Sequence, residues 1–308
     1  MTNGAKMMIF SAFFATLRPG DEVIIPAPYW TNYTDIVEMM GATPVVVQAR
    51  PERDFILDPD DLEGAITSRT RWVMFNSPSN PSGAVYERDD YAPLLEVIER
   101  HPHVWVLADD IYEHLTYDDV EFVTPLQVAP QLRDRTLTIN GVSKAYAMTG
   151  WRIGFGAGPV PLMKAIGAVL SQSTSAPSSI AQAAAAEALS GPQDAVADYL
   201  AVYAERRTQV LSDVNAIPGL SARAPKGAFY LLVDCSELIG RRTPGGQVIV
   251  NDESLCEYLL GEANVGVIPG TAFGVANHFR ISYATGLAEL REGATRIREA
   301  YDALQTSS

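Results

Sequence analysis

Residues 71–108 read RWVMFNSPSNPSGAVYERDDYAPLLEVIERHPHVWVLA, and the fold follows from this stretch. The first five residues make an apolar run suited to a buried strand. N-S-P-S-N-P-S-G at 76–83 is turn chemistry, because Pro presets φ while Asn, Ser and Gly accept tight backbone. Residues 87–100 carry Leu94, Leu95 and Ile98 on one side, which predicts an amphipathic helix. Residues 104–108 form a second apolar run. Short apolar strands separated by helices predict a largely parallel sheet covered on both faces.

The pattern extends in both directions. Upstream, 21–27 and 43–49 read as strands, and 5–17, 31–40 and 58–66 as helices. Asp58 can cap the last of these, with Pro59 at a first-turn position that tolerates a missing N–H. Downstream, 136–139 and 152–157 read as strands, and Gly154, Gly156 and Gly158 allow close backbone approach. Helices are predicted over 160–173, 178–189 and 194 to about 215. Strands at 228–233, 265–268 and 279–283 then mix with helices at 252–263 and 287–304, without strict alternation. The predicted architecture is α/β: a mostly parallel central sheet with helices on both faces, plus a smaller C-terminal α+β domain. The boundary is placed inside the long helix, giving residues 1–199 and 200–308.

Composition narrows the function. The 308 residues are 47% hydrophobic and 19% charged, enough apolar material for a sizeable core. With 23 basic and 37 acidic residues the net charge is −14, which repels phosphate backbones and argues against a nucleic-acid partner. No apolar stretch of eighteen residues and no signal-peptide pattern is present, so no membrane role is expected. Cys235 and Cys256 form no C-x-x-C, which points to the cytoplasm. Four scattered histidines make a metal centre an unlikely expectation.

The chemistry concentrates in residues 141–154, G-V-S-K-A-Y-A-M-T-G-W-R-I-G. A lysine just past a strand end, as Lys144 is, can lose its proton and act as a nucleophile. Arg152 can grip a phosphate in fork geometry. Lysine plus phosphate anchor is what a Schiff-base cofactor such as pyridoxal phosphate needs. A solvated Lys and a surface Arg read equally well from this segment alone. Asp109 ends a strand in A-D-D-I-Y, where a carboxylate can pair with a pyridinium N–H and Tyr112 can bond a ring oxygen. Asp109 and Asp110 also read as a helix cap. Asn80 sits in the turn run. Gly4, Ala5 and Lys6 open a helix whose free N–H groups make an anion site. Arg280 enters a strand as a carboxylate clamp or a structural ion pair.

With these residues in hand, the sequence resembles the class I aminotransferases, pyridoxal-phosphate enzymes of fold type I, with the closest likeness to bacterial aspartate aminotransferases. The motifs carrying the resemblance run in order along the chain: P-A-P-Y-W-T-N-Y at 26–33, N-S-P-S-N-P-S-G at 76–83, A-D-D-I-Y at 108–112, the lysine signature at 141–154, and H-F-R-I-S-Y-A-T-G at 278–286. The resemblance implies that Lys144 holds the cofactor as a Schiff base and moves the substrate proton. It implies that Asp109 pairs with the pyridine nitrogen, that Tyr112 and Asn80 bond the ring oxygen, and that Trp30 stacks on the ring. Arg152 with Gly4, Ala5 and Lys6 would hold the phosphate. Arg280, with Trp30 and Asn80, would bind substrate. The implied reaction is ping-pong transamination between an L-amino acid, expected to be aspartate, and 2-oxoglutarate, by a homodimer. An aromatic or alanine aminotransferase or a β-lyase of the same fold stays open, as does an inactive fragment or a non-catalytic binding module.

Two departures from the family pattern stand out. Gly141 occupies a place that is often Ser in the family, which removes one phosphate donor for which Ser143 is a weak substitute. The helix at 5–17 also comes at the very start, where relatives carry an arm and part of the small domain. The expectation is an N-terminally truncated chain, with Met1 at an internal strand position read as a start.

Overall fold

A computed structural model of the chain describes residues 1–305. The chain opens with β1 (Thr2–Asn3) and α1 (Ala5–Thr16), followed by β2 (Glu22–Ala27), α2 (Asn32–Met39), β3 (Thr43–Gln48), α3 (Pro59–Ala65), β4 (Thr70–Asn76), α4 (Arg88–Arg100) and β5 (Trp105–Asp109). Next come α5 (Pro125–Val128), β6 (Thr136–Gly141), β7 (Ile153–Ala157), α6 (Val160–Ser171), α7 (Ser179–Ser190) and α8 (Asp194–Asn215). The remainder is β8 (Ser221–Ala222), β9 (Tyr230–Asp234), α9 (Asp252–Ala263), β10 (Ile268–Pro269), β11 (His278–Ser282) and α10 (Leu287–Asp302).

The first seven strands form one sheet in the order β1-β7-β6-β5-β4-β2-β3. Neighbours from β3 through β6 run parallel. The expected burial on both faces is visible in the side-chain alternation. Val23 and Ile25 of β2 face a cluster with Met8, Ile9 and Phe13 of α1, Val37 of α2 and Ile166 of α6. Ile24 between them points the other way, toward Leu62 of α3 and Leu94, Leu95 and Ile98 of α4. A separate antiparallel sheet, β10-β11-β9-β8, packs with α8, α9 and α10. Its core also takes in Ile111, Tyr112, Leu115 and Tyr117, which follow β5.

Several elements differ from the sequence expectation. The chain does not lead straight into a helix: Thr2 and Asn3 form β1, antiparallel to β7 at Gly154 and Ile153. β7 is itself antiparallel to β6. The predicted strand at 265–268 shrinks to β10, because Asn264 adopts left-handed backbone and the Val265 N–H bonds back to the Leu259 carbonyl, closing α9 instead. The strand expected from 228 starts at Tyr230, since Ala228 is left-handed and donates its N–H to Leu115 outside the sheet. β8, two residues long, has no periodic signal to read.

The junction of β1, β7 and α1 is packed at backbone distance. A Cβ on Gly154 would lie 2.3 Å from the Ala5 nitrogen and 2.5 Å from the Gly4 carbonyl carbon. Gly154→Ala is therefore expected to lower stability by about 1–3 kcal/mol, the usual cost of overpacking. Denaturant titration of the two proteins checks this; an unchanged midpoint would mean that the junction yields freely.

Candidate active site

Four adjacent parallel strands, β2, β4, β5 and β6, deliver their carboxyl ends to one rim, where ligands of such sheets bind. Trp30 and Tyr33 follow β2, Asn76 ends β4 with Asn80 just beyond, Asp109 ends β5 ahead of Tyr112, and Lys144 follows β6. The antiparallel direction of β7 starts that strand at the same rim and so brings Arg152 there. β1, antiparallel to β7, ends there too, which sets the amino end of α1 beside Arg152. From the second sheet, β11 contributes Arg280. These residues line a cavity of about 390 Å³ that also takes in Ala5, Lys6, Ser143 and Tyr230.

Asp109 is 4% exposed. Its Oδ2 accepts the Tyr33 hydroxyl at 2.6 Å, while its Oδ1 is buried with no donor at hydrogen-bonding geometry. Burial pushes its pKa up to about 6, against the pull of the Tyr33 hydroxyl, the Ile111 amide and the Lys144 ammonium. No helix follows β5; residues 110–115 form turns, with Glu113 and Leu115 N–H bonded to the Asp110 and Tyr112 carbonyls, so the helix-cap reading of Asp109 and Asp110 falls. Lys144 is half-buried, its Nζ 5.8 Å from the ring centres of both Tyr112 and Phe229. Burial, then the Arg280 charge, holds its pKa below the usual lysine value, which enriches the neutral, nucleophilic amine. Burial likewise raises the Tyr112 phenol well above its ordinary range, so it stays a proton donor.

Gly4 has φ 84° and offers no side-chain cap, so side chains leave the first-turn N–H groups of α1 open. A Cβ on Gly4 would lie 2.1 Å from Arg152 Nη2, so only glycine lets that guanidinium approach the helix start. Arg152 is itself in left-handed backbone, φ 55°, and donates Nη1 to the Thr149 carbonyl at 2.9 Å. The pair makes an anion cradle. Lys6 is exposed; its Nζ donates to Asn32 Oδ1 at 2.9 Å and sits 4.8 Å over the Trp30 ring. Without a shift, Gly141 leaves no room for the serine that the family resemblance leads one to expect: a Cβ there would lie 2.7 Å from the Ile153 oxygen. Ser143 is buried and lines the cavity.

Arg280 Nη1 donates to Asn80 Oδ1 at 2.7 Å, and its guanidinium lies 4.4 Å over the Tyr230 ring and 4.8 Å over that of Phe273. Its Nε is buried without a partner, and no carboxylate pairs with it among the described residues. The structural ion-pair reading is thereby set aside, and a buried guanidinium with spare donors fits an incoming carboxylate. Every site residue expected from the sequence reaches this cavity except Gly4, which shapes it from behind. Sequence reasoning missed Tyr33, Tyr230 and Asn76. Tyr230 bonds Tyr112 hydroxyl to hydroxyl at 2.9 Å. Asn76 donates to the Asp109 carbonyl and accepts the Asn80 amide, both at 2.9 Å. Tyr33 and Asn76 stood inside quoted motifs; Tyr230 carried no local signal. A larger cleft of about 530 Å³ lies between residues 51–56 and 221–226, but its Arg53, Arg223 and Lys226 already pair with Asp58, Asp54 and Glu87.

Comparison with known proteins identifies the family and the fold. The sequence model described as aminotransferase class I and II matches residues 1–297. An aspartate aminotransferase of Rhizobium meliloti is 55% identical over 304 residues, covering 99% of this chain and 74% of that protein. An aspartate/prephenate aminotransferase of Cereibacter sphaeroides is 54% identical over 295 residues, covering 96% and 74%. The crystal structure of the Rhizobium meliloti aspartate aminotransferase superposes with a TM-score of 0.96 over 99% of this chain and 76% of that one.

The buried carboxylate carries a stability cost with a defined sign. The fold keeps the Asp109 proton up to about pH 6, whereas the unfolded chain releases it near its ordinary value. Stability therefore falls as pH rises between the two, by about 3 kcal/mol from this group. Asp109→Asn is expected to raise the melting temperature of ligand-free protein at pH 7.5 and to leave it nearly unchanged at pH 4. Equal effects at both pH values would refute the assignment.

Proposed function

This chain belongs to the class I and II aminotransferase family, and on that premise we propose that it transfers the amino group of L-aspartate to 2-oxoglutarate, using pyridoxal 5′-phosphate and the residues of this cavity. It is a pyridoxal-phosphate-dependent aminotransferase with the type I fold. The observation that carries the residue assignment is the pairing of an unpartnered carboxylate oxygen, Asp109 Oδ1, with a half-buried amine and an anion cradle around one cavity. When bound, the cofactor supplies an aldehyde that condenses with amines and a ring that withdraws electrons from the substrate α-carbon.

The chain's own residues do the rest. Asp109 holds a proton on the ring nitrogen, since an ionised carboxylate there favours the cationic ring. Tyr112 and Asn80 would hold the ring oxygen, Trp30 would pack on the ring, and Arg152 with the Gly4, Ala5 and Lys6 backbone would hold the phosphate. Arg280 takes the substrate α-carboxylate in fork geometry, turning the Cα–H toward Lys144. Lys144 Nζ, whose proton affinity burial lowers, would remove the substrate α-proton. Lys6 is the cation within reach for an acidic substrate side chain. Donor product leaves before acceptor binds, so the kinetics are ping-pong.

We further propose a homodimer, because α1 leaves Phe14 59% exposed and stacked on Phe10. The two sheets are proposed as two domains meeting inside α8 near residue 200. Cys235 and Cys256 are free and buried, which suits the cytoplasm. Among the described residues no helix is long and apolar enough to cross a membrane.

Adding pyridoxal phosphate is expected to give a visible absorption band that is lost in Lys144→Ala. Arg280→Ala should raise KM for aspartate by about tenfold or more, as removal of a charged hydrogen-bond partner does. Stopped assays with aspartate, phenylalanine and alanine as donors, and with 2-oxoglutarate and prephenate as acceptors, decide the substrate. Faster turnover of phenylalanine than of aspartate would overturn the aspartate assignment. Sedimentation equilibrium decides between dimer and monomer.

A further inference from the structure

Tyr33 belongs to no expected role, yet it makes the only hydrogen bond from a side chain to the Asp109 carboxylate among the described residues. It is 2% exposed and sits in the first turn of α2, where its N–H bonds the Trp30 carbonyl at 2.9 Å. Its ring meets that of Trp30 edge-on at 5.3 Å. These contacts fix the phenol, and its hydroxyl reaches Oδ2 at 2.6 Å, the short range of a bond to an ionised acceptor. The other oxygen, Oδ1, has no partner. Asn76 bonds the backbone carbonyl of Asp109, which fixes the main chain from which the carboxylate projects. Burial and the nearby Asp109 charge raise the Tyr33 phenol well above its usual range, so it keeps its proton and can only donate to that carboxylate.

A carboxylate with two free oxygens can rotate and accept from either. Occupying one of them removes that freedom. We propose that Tyr33 is the positioning residue of the ring-nitrogen site: by donating its phenol proton to Asp109 Oδ2 it reserves Oδ1, in one orientation, for the cofactor's pyridinium N–H. The inference rests on the assignment of pyridoxal phosphate to this cavity. Tyr33 touches no reacting atom. Its contribution is to how well the carboxylate reads one atom of the ring.

The test compares two ligands on the same proteins. Pyridoxamine 5′-phosphate, which cannot bond covalently to Lys144, and its analogue with C–H in place of the ring nitrogen are titrated by tryptophan fluorescence into cofactor-stripped protein and Tyr33→Phe. Loss of the hydroxyl is expected to weaken pyridoxamine phosphate by roughly tenfold and the ring-carbon analogue by less than twofold. Equal weakening of both, or of neither, overturns the proposal, because a structural role would not depend on the ring atom. Tyr33→His retains an N–H donor and is expected to keep the difference between the ligands; its loss there counts against the proposal, including where the Phe variant does not fold. Failure of the unaltered protein to bind pyridoxamine phosphate overturns the cofactor assignment and this inference together. Normal binding with no ligand-dependent effect at residue 33 overturns only the role of Tyr33.

Discussion

Placing the Asp109 carboxylate at the buried end of β5 is expensive, because the site neither solvates it nor supplies an ion pair from the described residues. Tyr33 steadies it without neutralising it, while Asn76 holds the Asp109 backbone carbonyl. The two-faced packing of the sheet, with Ile24, Val73 and Val106 on one side and Val23, Ile25 and Leu107 on the other, supplies the stability that tolerates this cost. A polar residue better suited to the fold would be worse suited to holding a ring proton. Strain concentrated at a site and balanced by the core is a common pattern in enzymes.

The second organising constraint is direction. Parallel strands alone would bring Trp30, Asn80, Asp109 and Lys144 to one rim, but not a phosphate cradle at its edge. Reversal of β7 puts Arg152 at that rim, and the reversal of β1 against β7 returns Gly4 and α1 to it. Gly4 and Gly154 are the residues that let these backbones approach so closely. The left-handed backbone of Arg152 turns the chain at this junction.

Much of this was legible in the sequence because it is local. Helices such as 194–215 and 252–263 are local features, the second with a capping box at Asn251, and the lysine segment follows a strand within a few residues. What stayed hidden is non-local or too short. β1 and β8 have two residues each, so no alternation can mark them. The strand direction of β7 depends on which edge it joins, a matter the residues 153–157 do not encode. The start of the strand predicted at 265–268 was lost to an Asn-terminated helix cap, a rule about one φ value rather than about hydrophobicity. Tyr230 meets Tyr112 across 118 positions, and nothing near either residue announces the contact. Asp109 and Lys144, in contrast, lie at or just past the ends of apolar strands, and it is the ordered set of motifs, not either residue alone, that singles them out.

The cavity wall runs from Ala5 to Arg280, and the hydrogen bond between Asn80 and Arg280 spans 200 positions of chain. No single element owns the lining, which draws on both sheets and on α1. The site is therefore an all-or-nothing property of the finished topology: it comes into being only when the last loop closes, after most of the entropy of ordering has been spent. A chain that has buried its first sheet but not docked its second still lacks the Arg280 clamp and the Tyr230 wall of the cavity.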